Sequence, residues 1–222
     1  MQKQEPLLDA VGMAVDWAET DTVVVQVPNS RCVVDHPWLE MTSQIEIVCA
    51  SAKSKYPSRP SGGVVIAFDL PVAGILDIES VAGVDAIVAV RAHGPTDWGT
   101  DADHSPWITA FDVQHLGGDV ITPVPDASAP IQSTVRGLTR PLHSRDSLNT
   151  RERHEAVQAL TYLRSNGVAL ETNSVMAEAL RNGWLGSSLE LRQIAIALNG
   201  GTNLRYESRL RPEMLREWLS AV

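Results

Sequence analysis

A chain of 222 residues with 44% hydrophobic and 20% charged residues has enough apolar material for a packed core and lies far from the composition of disordered chains. Its formal net charge of −9 argues against a main role in non-specific grip on phosphate backbones. The charge is unevenly spread: residues 1–140 hold 8 Lys and Arg against 18 Asp and Glu, and residues 141–222 hold 10 against 9.

Leu7, Leu8, Val11, Val15 and Ala18 recur at intervals of three and four, the stripe of an N-terminal amphipathic helix. Thr22 to Val27 is a β-branched run stopped by Pro28-Asn29-Ser30, and reads as a first strand. Met41, Ile45, Val48 and Ala52 follow Pro37 at helical spacing, so 37–54 reads as a helix closed by Lys53 and Lys55. A Pro/Ser/Gly loop from Tyr56 to Gly63 separates it from Val64–Phe68.

Val64–Phe68 and Ala86–Val90 are continuously apolar, which signals strands covered on both faces, and Pro71 to Ala82 is long enough for a crossover helix between them. Parallel pairing follows. Pro106 to Leu116 reads as a helix, and Asp119 to Val124 as a further strand that Pro123 would push to an edge. Pro125 to Ser147 shows little periodicity and is rich in Pro and small polar residues, leaving room only for a short element around Ile131 to Leu138.

Helices dominate thereafter. Asn149 with Glu152 resembles a capping box, a second helix runs from about Asn173 to Asn182, and Ser187-Ser188-Leu189-Glu190 has the form of another capping box. Pro212 opens a last helix carrying Leu215, Trp218 and Leu219. The sequence therefore predicts an α/β fold: a mostly parallel sheet of about four strands with flanking helices in 1–125, a linker or functional loop in 126–147, and an all-helical C-terminal region in 148–222.

In an open parallel sheet, ligands bind outside the carboxyl ends of the strands. That rule selects Asn29, Ser30 and Arg31 after the first strand, Asp69 after Val64–Phe68, and Arg91 to His104 after Ala86–Val90. The last loop holds two imidazoles, three carboxylates and one guanidinium; its spacing matches no metal template, and solvated turn residues are the simpler reading. If it is catalytic, His93, Asp97 and Asp103 are the residues for proton transfer. Arg31, Asp69 and Arg91 are the ligand-binding candidates, the arginines holding an anion.

Asp69 has two readings, a helix N-cap before Leu70-Pro71 or a partner for a ribose hydroxyl. Cys32 and His36 are spaced as half a metal site, but no second pair accompanies them and a packed thiol is favoured. No Gly-x-Gly-x-x-Gly, phosphate loop or Gly-x-Ser-x-Gly elbow occurs, which argues against classical dinucleotide, P-loop and hydrolase-elbow chemistry and leaves any cofactor unknown. Among six tryptophans, Trp98 and Trp107 flank the acidic loop, and Trp184 and Trp218 read as helical core.

A small-molecule or nucleotide-type ligand is thus the leading expectation. The alternative is a non-enzymatic interaction or regulatory protein whose helical region docks a protein partner or self-associates. Nucleic acid is disfavoured, because the helical region has no lysine and the helix after Ser187 carries a single arginine, Arg192. Two cysteines without a framework, no leader-like N-terminus and no long apolar run lead to the expectation of a cytoplasmic protein without a membrane span.

Overall fold

The computed structural model describes residues 5–19, 23–41, 45–51, 54–91, 104–118 and 120–221. The chain divides into two compact units, one of Met1–Thr100 with Gln114–Val120 and one of Asp101–Val113 with Ile121–Val222.

The first unit is built on a four-stranded, wholly parallel sheet, so the protein is α/β. Its strands are β1 (Val23–Val27), β2 (Ile45–Cys49), β3 (Gly63–Phe68) and β4 (Val84–Val90), in the order β2-β1-β3-β4. Val64 to Phe68 pair with Ala86 to Val90 in register, as two covered apolar strands require. Helices α1 (Glu5–Ala18), α2 (Ser30–Asp35), α3 (Trp38–Met41) and α4 (Val72–Glu79) flank it.

Alternation along the strands assigns the two faces. Val23, Val25 and Val27 of β1 share one core with Ile66 and Phe68 of β3, Val11 and Ala14 of α1, Val33 of α2 and Leu39 of α3. Helix α4 packs on β3 and β4 with Ile75, Leu76 and Ile78 buried outside that core. Connections that lead in opposite directions from the sheet centre give this two-sided arrangement when each takes the usual right-handed course.

Two expectations about this unit are corrected. The segment 37–54 is not one helix, because α3 ends at Met41 and Ile45–Cys49 is the edge strand β2. Met41, Ile45 and Val48 fit a helical period, but Ile45-Glu46-Ile47-Val48-Cys49 is a β-branched run that pairs residue for residue with β1. Nor do residues 120–124 form a strand: the N–H of Val124 is donated to the Thr109 hydroxyl, not to a ladder. The fourth strand is thus β2.

The second unit is helical, with α5 (Ser105–Phe111), α6 (Ala129–Thr139), α7 (Thr150–Ser165), α8 (Thr172–Arg181), α9 (Gly186–Asn199) and α10 (Pro212–Leu219). Helix α5 ends at Asp112, whose left-handed backbone stops it short of the Leu116 expected. Helix α6 lies inside the span read as linker or loop. Pro130 is in its first turn, where the missing N–H costs nothing, and Ile131, Val135 and Leu138 are buried along one face. Gly137 of α6 is required by close approach: a Cβ there would stand 2.3 Å from Cζ2 of Trp218 in α10.

One core joins α6 to α10, with Trp184 and Trp218 inside it as expected. The Trp184 indole donates to the Thr139 hydroxyl at 2.8 Å. Asn149 and Glu152 form the expected capping box at the start of α7, and Glu152 also accepts from the His143 N–H at 2.7 Å.

The second expected box does not form. Helix α9 is capped at Leu185, the Ser187 hydroxyl donates to the Arg145 carbonyl, the Ser188 hydroxyl donates to the Leu185 carbonyl, and Glu190 accepts from the Leu148 N–H. Those serines are buried, so their hydroxyls serve the 145–148 segment and the preceding turn instead of the helix start.

Candidate functional site

The sheet order reverses direction between β1 and β3: from β1 the chain crosses to β2 on one side, and from β3 to β4 on the other. Loops leaving β1 and β3 therefore part to opposite faces, and by the general rule for open parallel sheets a ligand crevice is expected between their carboxyl ends. The residues there are Pro28 to Cys32 after β1 and Asp69 to Pro71 after β3.

Asn29 shapes the first loop. Its carboxamide oxygen accepts from the N–H groups of Arg31 and Cys32 at 3.1 and 3.2 Å, which starts α2 one turn beyond the strand. The turn sends the Arg31 side chain into solvent, 87% exposed, with Nε 3.6 Å from the Asp35 carboxylate. An exposed pair of this kind contributes at most about 1 kcal/mol, so the guanidinium is readily exchanged to another anion.

Asp69 is placed differently. It is 8% exposed and has φ of 53°, in the left-handed region that Asp tolerates better than most side chains. Its N–H donates to the Val90 carbonyl at 2.7 Å, which ties the end of β3 to the end of β4. It is not the N-cap of α4, a position that Pro71 occupies. Arg91 follows Val90 and is half-buried.

Cys32 lies near enough to Asp69 to feel its charge. Burial first, then Asp69, Asp35 and Cys49, push its thiol from 9.0 up to about 12. A thiol so held is protonated at neutral pH and is no nucleophile. Beneath it, the rings of His36, Trp38 and Phe68 meet edge to face, His36 with its centroid 5.4 Å from Phe68. On the opposite face of β1, Gln26 is 4% exposed, and its Oε1 accepts no hydrogen bond among the described residues.

Arg31 and Asp69 thus follow the two strands that bound the crevice, while Arg91 follows β4, one strand further out. His93, Asp97 and Asp103 lie outside the described residues, as does Trp98. Among the described residues no group of three or more His, Cys, Asp or Glu is arranged to hold a metal ion. By sequence, Cys32 and His36 stand only as half a metal site and Gln26 is not singled out; the signal that points to all three is the β-branched run at 45–49, which fixes β1 as a central strand.

Comparison with known proteins touches only the other unit. Residues 130–219 match a family described as Domain of unknown function (DUF1889), a span that runs from α6 to α10 and leaves out the sheet. No curated protein and no solved structure matches the chain.

Proposed function

We propose that the sheet unit binds a small polar molecule, of nucleotide or organic-anion type, at the carboxyl edge between β1 and β3. The observation that carries this reading is the reversal of strand order at that point, with a buried carboxylate, Asp69, held in a left-handed backbone beside it. In this reading Arg31 and Arg91 hold the anionic part, and Asp69 accepts from a hydroxyl. The unpartnered Gln26 acceptor adds support, since a buried polar atom without a partner calls for a water or a ligand. Where the bound molecule is also transformed, His93, Asp97 and Asp103 are the proposed proton-transfer residues. The free thiols of Cys32 and Cys49 fit a reducing, cytoplasmic setting, and no helix among the described residues is long and apolar enough to cross a membrane.

The test is a thermal-shift screen of the full chain with nucleotides, sugar phosphates and divalent metals, repeated on Asp69→Asn and His93→Ala. A ligand at about 100 times its Kd stabilises by about 2.7 kcal/mol, a readily measured shift. The expected result is a compound that stabilises the natural chain and loses that effect in Asp69→Asn while the circular dichroism is unchanged. No response across the panel, or an equal response in the variants, would transfer the reading to a non-enzymatic protein whose helical unit docks a partner.

A further inference from the structure

The helical unit contains a cavity of about 370 Å³ with a lining of mixed chemistry. Its lining combines three arginines, Arg140, Arg151 and Arg209, with the apolar Leu138, Leu210 and Met214 and the carboxylate of Glu155. Three guanidinium groups around one cavity are unexpected in a chain of net charge −9 that has only 18 Lys and Arg in all. Like charges gathered in one place repel, and the arrangement is relieved when an anion sits among them.

The donors are largely uncommitted. Arg140, the C-cap of α6, makes no side-chain hydrogen bond or ion pair among the described residues. Arg151 gives its Nε to the Glu155 carboxylate at 2.8 Å, which orients the guanidinium and leaves both terminal amino groups for another partner. Glu155 is 3% exposed, so this pair is anchored at its acidic end. Arg209 engages Glu207 through one Nη and keeps the rest of its fork.

Charge selects the ligand class. The lining residues sum to +2, three arginines against Glu155, which suits a dianion better than a single carboxylate. Helix α10 starts two residues after Leu210 with no side-chain cap, so the positive end of its dipole lies at the first turn that carries Met214, and the acidic Glu213 of that turn is paired with Arg216 at 3.0 Å. The carboxyl end of α6 at Arg140 works in the opposite sense, and the Arg140 charge offsets it. Leu138, Leu210 and Met214 offer an apolar surface to the remainder of the molecule, and a cavity of this size lies in the range of small-molecule sites.

We infer that this cavity is a binding site for a phosphate monoester with an apolar body, its phosphoryl group held by Arg140, Arg151 and Arg209. Glu155 acts as a positioning residue through Arg151.

The probe is phenyl phosphate, titrated into the full chain by calorimetry, with inorganic phosphate and benzoate as comparisons. The expected result is saturable one-to-one binding of phenyl phosphate, about tenfold or more tighter than either comparison, and about tenfold or more weaker in Arg140→Ala and in Arg209→Ala. Both side chains are exposed, so these variants should keep the natural thermal midpoint. Glu155→Gln keeps a partner for Arg151 and should retain binding better than Glu155→Ala. Absence of saturation below about 10 mM phenyl phosphate, or binding that both arginine variants leave within about twofold, overturns the site. Equal affinity for inorganic phosphate overturns the apolar part of the assignment. These variants lie in the helical unit alone, so their outcome is independent of the ligand proposed for the sheet.

Discussion

Replacing Gln158 by Leu should detach the segment that joins α9 to α10. The Gln158 carboxamide acts as one rung of a sheet toward that segment: its Nε2 donates to the Ser208 hydroxyl at 3.0 Å and to the Leu210 carbonyl at 3.1 Å, and its Oε1 accepts from the N–H groups of Arg209 and Leu210 at 2.8 and 2.9 Å. Ser208 and Arg209 are exposed and exchange their bonds for water at little cost. Leu210 is 9% exposed, so its N–H and C=O are the two groups that water reaches least. At about 1–3 kcal/mol for each buried group left without a partner, the loss is about 2–6 kcal/mol. Leucine has a similar volume and opens no large cavity, so this loss is one of hydrogen bonding. Hydrogen exchange on the full chain reads it locally: about 4 kcal/mol removes nearly three decades of protection from the Leu210 amide. Protection within about tenfold of the natural chain would refute the reasoning, and would mean that the apolar contacts of Leu204 and Leu210 hold the segment without the carboxamide.

Gly137→Ala should lower the urea midpoint of the helical unit. The added methyl meets the Trp218 ring at 2.3 Å, and overpacking of this kind costs about 1–3 kcal/mol, more than the roughly 1 kcal/mol that Ala offers over Gly in a helix; an unchanged midpoint would mean that the ring moves aside freely. Cys32 should resist iodoacetamide at pH 9, reacting about two orders of magnitude more slowly in the folded chain than in denaturant when followed by peptide mass spectrometry. Because the folded thiol holds its proton above the unfolded value of 9.0, its effect on stability is absent below that pH, and stability falls as pH rises from 9 toward about 12. Asp69→Asn removes one of the causes of the raised value and should speed the reaction; equal rates in both chains would contradict the placement of the thiol beside that carboxylate.

What the sequence disclosed depended on whether one signal or two competed for a segment. Val64–Phe68 and Ala86–Val90 are too short and too uniformly apolar for surface helices, and their pairing follows from that alone. Asn149 and Glu152 disclose the start of α7 because both halves of the box are adjacent in sequence. At 41–52 two periods fit the same apolar residues, and only the pairing of β2 with β1, a contact between residues 22 positions apart, decides for the strand. In α6 the apolar period was present in Ile131, Val135 and Leu138, but Pro130 and Gly137 read as breakers. Their tolerance comes from position for the one and from Trp218, 81 residues later in the chain, for the other. Ser187 and Glu190 had the spacing of a cap, yet the backbone of 145–148 competes for both side chains.

The correction at β2 also changes which residues should matter most for the proposed ligand. With 37–54 as a helix, nothing fixes which strand lies beyond β1, and the loop after β4, rich in charge, is the natural centre of a site. With Ile45–Cys49 paired to the far side of β1, the reversal of order falls between β1 and β3, and the crevice belongs to the loops carrying Asn29 and Asp69. Asp69 borders that crevice, and Arg91 stands after the outer strand. For any compound that stabilises the chain, Asp69→Asn should therefore weaken binding more than Arg91→Ala, by about tenfold, the difference expected when a charge-assisted hydrogen bond is lost in one variant and a peripheral charge in the other. Calorimetric titration of both variants at two salt concentrations makes the comparison, since the peripheral contact should fade with salt and the buried one should not. A larger loss in Arg91→Ala would return the site to the loop after β4 and remove the strand-order reversal as its cause.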